Sequence, residues 1–210
     1  MTIRRVEKSE KNLINEVVEI HLKTFPGFFL TFMGKGFLRE LYMSYCKHEL
    51  SGLLVALGEE GHPIGFLAYS ENVSALYKFM LKKKLAVFAW YSLGAFIRKP
   101  KIFMRLVRAF LKPKESKRTE EYIELASIGV MPESKGQGVG SSLVDKLKEI
   151  AKNTSCKYIA LETDAENNDG ANRFYVKNGF VLNSTFETHE KRKMNEYRFY
   201  LEVKEENVFI

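Results

Sequence analysis

Three closely spaced glycines form the part of the sequence whose chemistry is most specific. The run Ser127–Leu143 predicts a strand that ends at Val130, a turn that contains Gly136, Gly138 and Gly140, and then an amphipathic helix. The first-turn amides of a helix lack intrahelical partners, and the helix dipole adds roughly half a positive charge there. Because glycine keeps side chains away from those amides, the pattern predicts a turn that binds phosphate groups.

Two common phosphate-binding loops do not fit this turn. The dinucleotide fingerprint needs a third glycine where Ser141 stands, and the Walker loop needs a lysine after its last glycine, whereas Ser141 follows Gly140. A tight strand-to-helix connection without a ligand is the alternative that the turn by itself leaves open.

A second motif lies downstream of the glycine turn. It consists of Asn168, Ala171, Phe174, Tyr175, Gly179 and Phe180, in the order Asn-x-x-Ala-x-x-Phe-Tyr-x-x-x-Gly-Phe. The run from Lys135 to Gly140 resembles the acetyl-CoA signature of GNAT acetyltransferases, Arg/Gln-x-x-Gly-x-Gly/Ala, and the second motif resembles the later half of that family's pattern. Lysine in the first position departs from the family signature, which leaves the contact of that side chain open.

The resemblance implies a site for acetyl-CoA. In the family, the signature strand separates from the next strand, and the pantetheine arm of the cofactor lies in the gap. The backbone of Ile128 and Val130 would pair with that arm, Asn168 would hold it, and Tyr175 would lie near the thioester sulfur. The diphosphate would be held by Lys135, Gly136, Gln137, Gly138, Val139, Gly140 and Ser141. No metal is expected.

The implied reaction is direct attack of a primary amine on the thioester. An ammonium with a pKa near ~10 must first lose a proton, and the leaving thiolate gains from a nearby acid. Glu124, six residues before Val130, is the candidate base, with a solvated strand carboxylate as the alternative interpretation. Tyr175 is the candidate acid, with core packing as its alternative. Glu121 and Glu162 are weaker candidates for the base.

The surrounding pattern predicts the scaffold. Lys11–Thr24 is expected to be a helix with Ser9 as its N-cap, and Thr31–Cys46 a second single helix. Strands are expected at Ile3–Val6, Leu53–Leu57, Ile64–Tyr69, Glu121–Val130, Tyr158–Thr163, Phe180–Thr188 and Lys193–Val203, and further helices at Val139–Lys152 and Asp169–Asn178. The fold class is therefore α/β (α+β): a GNAT-like mixed, mostly antiparallel seven-stranded sheet flanked by helices, with a helical insertion between strands three and four.

Length and composition predict one cytoplasmic domain. The 210 residues, 45% of them hydrophobic, suffice for one core. The two cysteines, Cys46 and Cys156, lack disulfide or zinc spacing. We find no signal peptide and no segment near the roughly 20 apolar residues of a membrane span. The four histidines, of which His21 is one, have no metal-binding spacing and are assigned to packing or surface roles.

A strongly basic insertion is expected at residues 71–118. The stretch from Ser70 to Arg118 contains thirteen Lys and Arg but only two acidic residues. Within it, Lys101–Lys112 has the pattern of a basic amphipathic helix. The insertion could cover the acceptor site, lie on an anionic membrane, or bind RNA, in that order of preference. Trp90 and its aromatic neighbours are assigned to the core or to a lid.

Three functions from different classes are consistent with this sequence. The first is an N-acetyltransferase that uses acetyl-CoA as cosubstrate and acts on a small amine or amino sugar, with a protein amine as a further acceptor class. The second is a catalytically silent acetyl-CoA-binding regulatory module. The third is a basic membrane- or RNA-binding protein, in which case the glycine turn is incidental. Nucleic acid is disfavoured as a partner, an anionic acceptor or membrane could contact the insertion, and a homodimer is one option for assembly.

Overall fold

A computed structural model describes residues 1–98, 100, 120–188 and 191–201. These residues form seven strands and six helices. In chain order they are β1 Thr2–Arg5, α1 Lys11–Thr24, α2 Phe29–Met33, α3 Lys35–Lys47, β2 Ser51–Leu57, β3 Pro63–Ser70, α4 Val73–Arg98, β4 Tyr122–Val130, α5 Val139–Ala151, β5 Tyr158–Asp164, α6 Asp169–Lys177, β6 Val181–Glu187 and β7 Lys193–Tyr200.

One seven-stranded sheet organises the fold. Its strand order is β1-β2-β3-β4-β5-β7-β6. Every neighbouring pair is antiparallel except β4 and β5, which are parallel. In the sequence, helix α4 connects β3 to β4. The predicted fold class is confirmed.

Two apolar cores lie on opposite faces of the sheet, because successive side chains of a strand point to opposite sides. On β2, Leu53 and Val55 pack with α1, α3 and the first turns of α4. Leu54 and Ala56 pack on the other face, with α5 and α6. We call these the α3 face and the α5 face.

Two local expectations are wrong. The helix expected over Thr31–Cys46 is two helices, α2 and α3, separated by Gly34, which has a φ of 91° that a helix interior cannot contain. The N-cap of α1 is Glu10, not Ser9, and its side chain makes no capping bond. The Glu10 carboxylate instead forms an ion pair with Arg4 at 2.6 Å, which ties the start of α1 to β1.

The insertion is helical where the structure describes it. Helix α4 occupies Val73–Arg98, and its inner side packs into the α3-face core through Leu76 and Met80. The basic amphipathic helix expected at Lys101–Lys112 lies outside the described residues. Within the described part of the chain, no helix combines the length and apolarity needed to cross a membrane.

Candidate active site

A gap opens between β4 and β5. The two strands pair in register only from Tyr122↔Tyr158 to Glu124↔Ala160, yet β4 continues to Val130 and β5 to Asp164. On its other edge β4 remains paired with β3 as far as Val130. Beyond Glu124, therefore, one edge of β4 faces no strand among those that the structure describes.

A β-bulge at Ala126 marks the start of this gap. Tyr69 of β3 pairs with Leu125 and the preceding Ala68 pairs with Ser127, so Ala126 is the extra residue on β4. A bulge bends its strand and increases the local twist. It also reverses the side-chain alternation, because Leu125 before the bulge and Ile128 after it both pack against the α5-face core.

The glycine turn has the geometry expected of an anion site. Gly136 and Gly138 have φ values of 81° and 80°, and a Cβ at either position would meet no atom within 4 Å. Gly138 is the N-cap of α5, and its carbonyl accepts the first helical bond, from Ser142 N–H at 3.0 Å.

Most of the predicted amides are open. Among the described residues, the first-turn N–H groups of Val139, Gly140 and Ser141 donate to no acceptor. The N–H groups of Lys135 and Gln137 instead donate within the turn, to the carbonyls of Pro132 and Ser134 at 3.3 and 3.4 Å. The turn thus presents a row of free amides at the open end of the β4–β5 gap.

The end of β5 is held by an asparagine network. The Asn168 amide donates to Thr163 Oγ1 at 2.7 Å, which fixes it beside the strand end. The Asn172 amide donates to the carbonyls of Asp164 and Asn168 at 2.9 Å, while its oxygen accepts from Tyr197 Oη at 2.9 Å. Sequence analysis missed Asn172, although it lies within the second motif.

Tyr175 lies in the α5-face core. Its ring is buried against Phe174, Phe180 and Tyr197, with centroids 5.2 to 5.9 Å apart. Burial raises the pKa of Tyr175 well above its usual value, so its hydroxyl is protonated at neutral pH. A protonated hydroxyl can donate a hydrogen bond, but the raised pKa makes it a weaker proton donor than an exposed tyrosine.

Glu124 belongs to the opposite face. It is the last β4 residue paired with β5, and its negative charge is among the causes that raise the pKa of buried Tyr45 in α3. The candidate acid and base therefore lie on opposite faces of the sheet, with Glu124 where the gap begins. The pair is not in direct contact in the way of a catalytic dyad.

A buried polar chain crosses from β4 to α1 on the α3 face. The Ser127 hydroxyl interacts with the Tyr42 phenol and lowers its pKa, although burial raises that pKa overall. Tyr42 Oη lies 2.6 Å from Nδ1 of His21. Burial lowers the pKa of His21 to about 4, so the ring is neutral at neutral pH and one of its two nitrogens carries the hydrogen.

The second ring nitrogen of His21, Nε2, is buried and finds no partner among the described residues. Sequence analysis assigned His21 only to packing or surface roles. The available signal was its spacing from Ile14 and Val17, which places a polar side chain on the buried stripe of α1.

The end of α1 contacts the end of β4. Thr24 Oγ1 donates to the Val130 carbonyl at 3.3 Å, and the rings of Phe25 and Phe28 meet edge to face at a centroid distance of 5.4 Å. Phe28 is exposed. An aromatic surface therefore borders the open end of the gap on the α3 face.

The sequence model of the acetyltransferase (GNAT) family matches residues 14–180, most of the chain. This chain belongs to the GNAT acetyltransferase family. It is accordingly an acyltransferase, and acetyl-CoA is its acyl-donor cosubstrate. Among curated proteins no sequence matches it significantly.

Solved GNAT structures share this fold. A GNAT-family protein from Desulfovibrio desulfuricans has a TM-score of 0.60 at 17% identity, over 95% of this chain and 98% of that one. A ribosomal-protein-alanine N-acetyltransferase from Brucella melitensis has a TM-score of 0.60 at 14% identity, over 96% and 100%. An aminoglycoside 6'-acetyltransferase type Ii has a TM-score of 0.62 at 12% identity, over 95% and 97%. At these identities the likeness establishes the fold.

Within the described residues, no group of three or more His, Cys, Asp or Glu could hold an ion. The donors around the gap are instead backbone amides, hydroxyls and side-chain amides, which suit a diphosphate and an amide-containing arm.

Proposed function

We propose that this protein transfers the acetyl group of acetyl-CoA to a primary amine by direct attack, and that the acceptor is a small amine or an amino sugar. The observation that carries the proposal is the unpaired edge of β4 ending beside the free amides of α5. An extended arm that contains amides fits the unpaired strand edge, and a diphosphate fits the free amides of α5.

The cofactor would be held mainly by backbone groups. The free edge of β4 at Ile128 and Val130 would pair with the pantetheine amides. The diphosphate would lie against the turn and first helical residues, namely Lys135, Gly136, Gln137, Gly138, Val139, Gly140 and Ser141. Asn168, fixed by Thr163, would hold the arm from the β5 side. Open first-turn amides are concentrated at Val139, Gly140 and Ser141, so these should contribute most.

Direct attack is favoured over an acetyl-cysteine intermediate. Burial raises the pKa of the Cys46 thiol to about 12 and also raises that of Cys156. Neither thiol therefore supplies a thiolate at neutral pH, and the thiolate is the nucleophilic form. The amine itself is left as the attacking group.

Glu124 and Tyr175 have complementary roles in this proposal. Glu124 would accept the ammonium proton, through water where the distance requires it, and Tyr175 would donate to the departing thiolate. Each proton transfer raises the rate about 100- to 10,000-fold. Holding the amine and the thioester together lowers the activation free energy by about 7–11 kcal/mol, which is the larger effect. Positioning by the gap should therefore account for most of the rate.

The acceptor class is supported by the aromatic border of the gap. Phe25 and exposed Phe28 offer ring faces, on which the C–H face of a sugar can pack, next to the end of β4. The fold itself does not select an acceptor, because the solved relatives include one named for a ribosomal protein and one named for an aminoglycoside. A cytoplasmic location is part of the same proposal.

A thiol-release assay tests the proposal. The purified chain is incubated with acetyl-CoA and a panel of simple amines, amino sugars and peptides with free N-termini, while calorimetry with CoA measures cofactor binding. We expect CoA binding and faster thiol release with an amine or amino sugar than without an acceptor. Binding without release for any acceptor would contradict the transferase proposal and leave a regulatory CoA-binding module.

A further inference from the structure

Helix α4 is anchored along one side only. Its inner side contacts α3 through the rings of Phe88 and Phe37, 4.9 Å apart, and through an ion pair of Lys84 with Glu40 at 2.5 Å. Arg39 also donates to Tyr91 Oη at 2.8 Å. These contacts set the rotation of the helix about its axis, and therefore which residues face outward.

The outward side of α4 carries an exposed apolar strip. Trp90 and Ile97 are 73% and 71% exposed, and Leu93 lies between them at 48%. The spacing of three and four residues places all three on one side of a helix with 3.6 residues per turn. Leu85 is also exposed, but it lies five residues before Trp90 and therefore to one side of this strip. Exposed apolar clusters of this size mark an interaction surface.

Positive charge continues the same side toward the N-terminus. Lys78, Lys82 and Lys83 are exposed. Residues 73–98 contain no Asp or Glu, and the sequence of residues 99–119 adds eight Lys and Arg against one Glu. Lys82 lies about 12 Å from Trp90 along the helix, from a rise of about 1.5 Å per residue. The outward side thus has a cationic half followed by an apolar half that includes a tryptophan.

We propose that the outward side of α4 lies on the surface of an anionic phospholipid membrane, with Trp90, Leu93 and Ile97 in the interface and Lys82 and Lys83 at the headgroups. Basic residues beside exposed Trp, Leu and Ile are typical of helices that lie in a membrane interface. A second copy of the chain would bring like charges together, which is unfavourable. An RNA would neutralise the lysines but leave the apolar strip in water.

Trp90 provides a direct probe, because it is the single tryptophan of the chain. The full chain is mixed with vesicles of phosphatidylcholine, or of equimolar phosphatidylcholine and phosphatidylglycerol, and its tryptophan emission and cosedimentation are measured. We expect the emission to move to shorter wavelength and the protein to sediment with the anionic vesicles only. Added salt should weaken the binding, because the charge contribution is screened.

Matched variants separate charge from apolar contact. Each lysine near an anionic surface strengthens binding about 5-fold, so Lys82→Glu with Lys83→Glu should weaken partitioning by about 30-fold or more. The control variant, Lys152→Glu with Lys177→Glu, makes the same change of charge at two exposed positions on the other face of the sheet, after the last residue of α5 and at the end of α6. Its membrane partitioning should fall much less. Leu93→Ser with Ile97→Ser keeps the charge and the Trp90 probe, and should weaken partitioning by about 10-fold or more. All variants should unfold at the temperature of the parent protein, since the changed side chains are exposed.

Three results would overturn the proposal. Equal sedimentation with neutral and anionic vesicles would reject the role of the lysines. An emission shift that depends on protein concentration without vesicles would indicate a second copy of the chain on this side of α4. Short-wavelength emission that does not respond to vesicles would indicate that another segment of the chain, such as residues 99–119, already covers Trp90.

Discussion

Tyr175 and Glu124 differ in what their surroundings do to them. Tyr175 is enclosed by aromatic rings and burial keeps its hydroxyl protonated, whereas Glu124 lies at the last pair of the β4–β5 ladder, where the gap begins. In the proposed reaction, Glu124 would accept a proton from the amine and Tyr175 would donate to the departing thiolate. The amine and the thioester would then meet between these two side chains.

Replacing Tyr175 with Phe should slow turnover and leave CoA affinity nearly unchanged. The loss in kcat should be about 100-fold or more if the hydroxyl acts as the acid, because the ring and its packing are retained. Steady-state kinetics and calorimetry with CoA measure the two quantities. Tyr69→Phe, at a buried tyrosine of β3 on the same face, is the matched control and should keep its kcat. An unchanged kcat in Tyr175→Phe would reject the catalytic role.

His21 should make stability depend on pH. In the unfolded chain the ring takes up a proton below about 6.5, whereas in the folded chain it does so only near pH 4. Between these values the unfolded state binds more protons, so the free energy of unfolding falls as the pH falls, by roughly 3 kcal/mol in total. The Glu10 carboxyl, whose pKa Arg4 lowers to about 2, acts in the same direction but only below about 4.5.

Urea unfolding at about pH 7 and about pH 4.5 measures this dependence. His21→Gln removes the titrating group but keeps a polar side chain, so its midpoint should fall less between the two pH values than that of the parent protein. His48→Gln is the control. Burial also lowers the pKa of His48, but this side chain is more exposed than His21, so the variant should keep more of the pH dependence than His21→Gln does. If both variants retain the full dependence, His21 is not its source.

At the scale of elements, the junction of β4, the glycine turn and α5 is the proposed cofactor site. The bulge at Ala126 directs β4 away from β5, and Gly138 begins α5 with its amides toward the open end. Neither feature would bind a cofactor without the other. The strand without the turn lacks an anion site, and the turn without the gap lacks room for the pantetheine arm.

Substituting Gly138 with Val should weaken CoA binding by about 10- to 100-fold, the effect of losing one or more charge-assisted hydrogen bonds. A side chain there would stand in front of the α5 amides. It would also cost about 1–2 kcal/mol of stability, because φ is positive. Calorimetry with CoA is the measurement.

Gly61→Val is the matched control for Gly138→Val. Gly61 has a φ of 79° and equally free surroundings, but it lies in the turn between β2 and β3. This variant should lose similar stability and keep its CoA affinity. Equal loss of affinity in both variants would mean that backbone strain, not the anion site, accounts for the effect.

At the scale of the whole molecule, the shortest ladder of the sheet lies beside the proposed cosubstrate site. β4 and β5 share three register pairs, whereas β5 and β7 share seven, so strands β1–β4 and strands β5–β7 are joined by a short ladder. A cofactor arm in the gap would extend the contact between the two halves. Binding should therefore stabilise the entire fold as well as the turn.

CoA at about 100 times its Kd should raise the free energy of unfolding by about 2.7 kcal/mol, which corresponds to a Tm increase of about 5–10 °C for a chain of this size. Thermal unfolding with and without CoA measures the shift. At the same CoA concentration, Gly61→Val should keep the increase and Gly138→Val should lose about half of it or more. A similar increase in both would place CoA away from the glycine turn.

The sequence by itself determined the features that depend on neighbours along the chain. The bounds of α1, the start of α5 at Val139 and the C-terminal Gly179 of α6 follow from periodicity and glycine chemistry, and all were predicted correctly. Local patterns did not predict the break between α2 and α3 at Gly34, because a single glycine within a helical pattern is often tolerated. The break is evident only from the φ of 91° that Gly34 has in the structure. The seven strands were predictable as elements for the same local reason.

Tertiary structure alone decided how distant elements meet. The extra residue Ala126 is recognisable only against β3, and the gap only against β5, because strand register is a property of pairs. The polar chain from Ser127 through Tyr42 to His21 joins β4, α3 and α1, which are far apart in sequence. Trp90, assigned to the core or to a lid, is not in the core but exposed, because Phe88 and Tyr91 take the inner side of α4. Local propensity specifies elements, and the geometry of the site arises from contacts that form only when those elements pack.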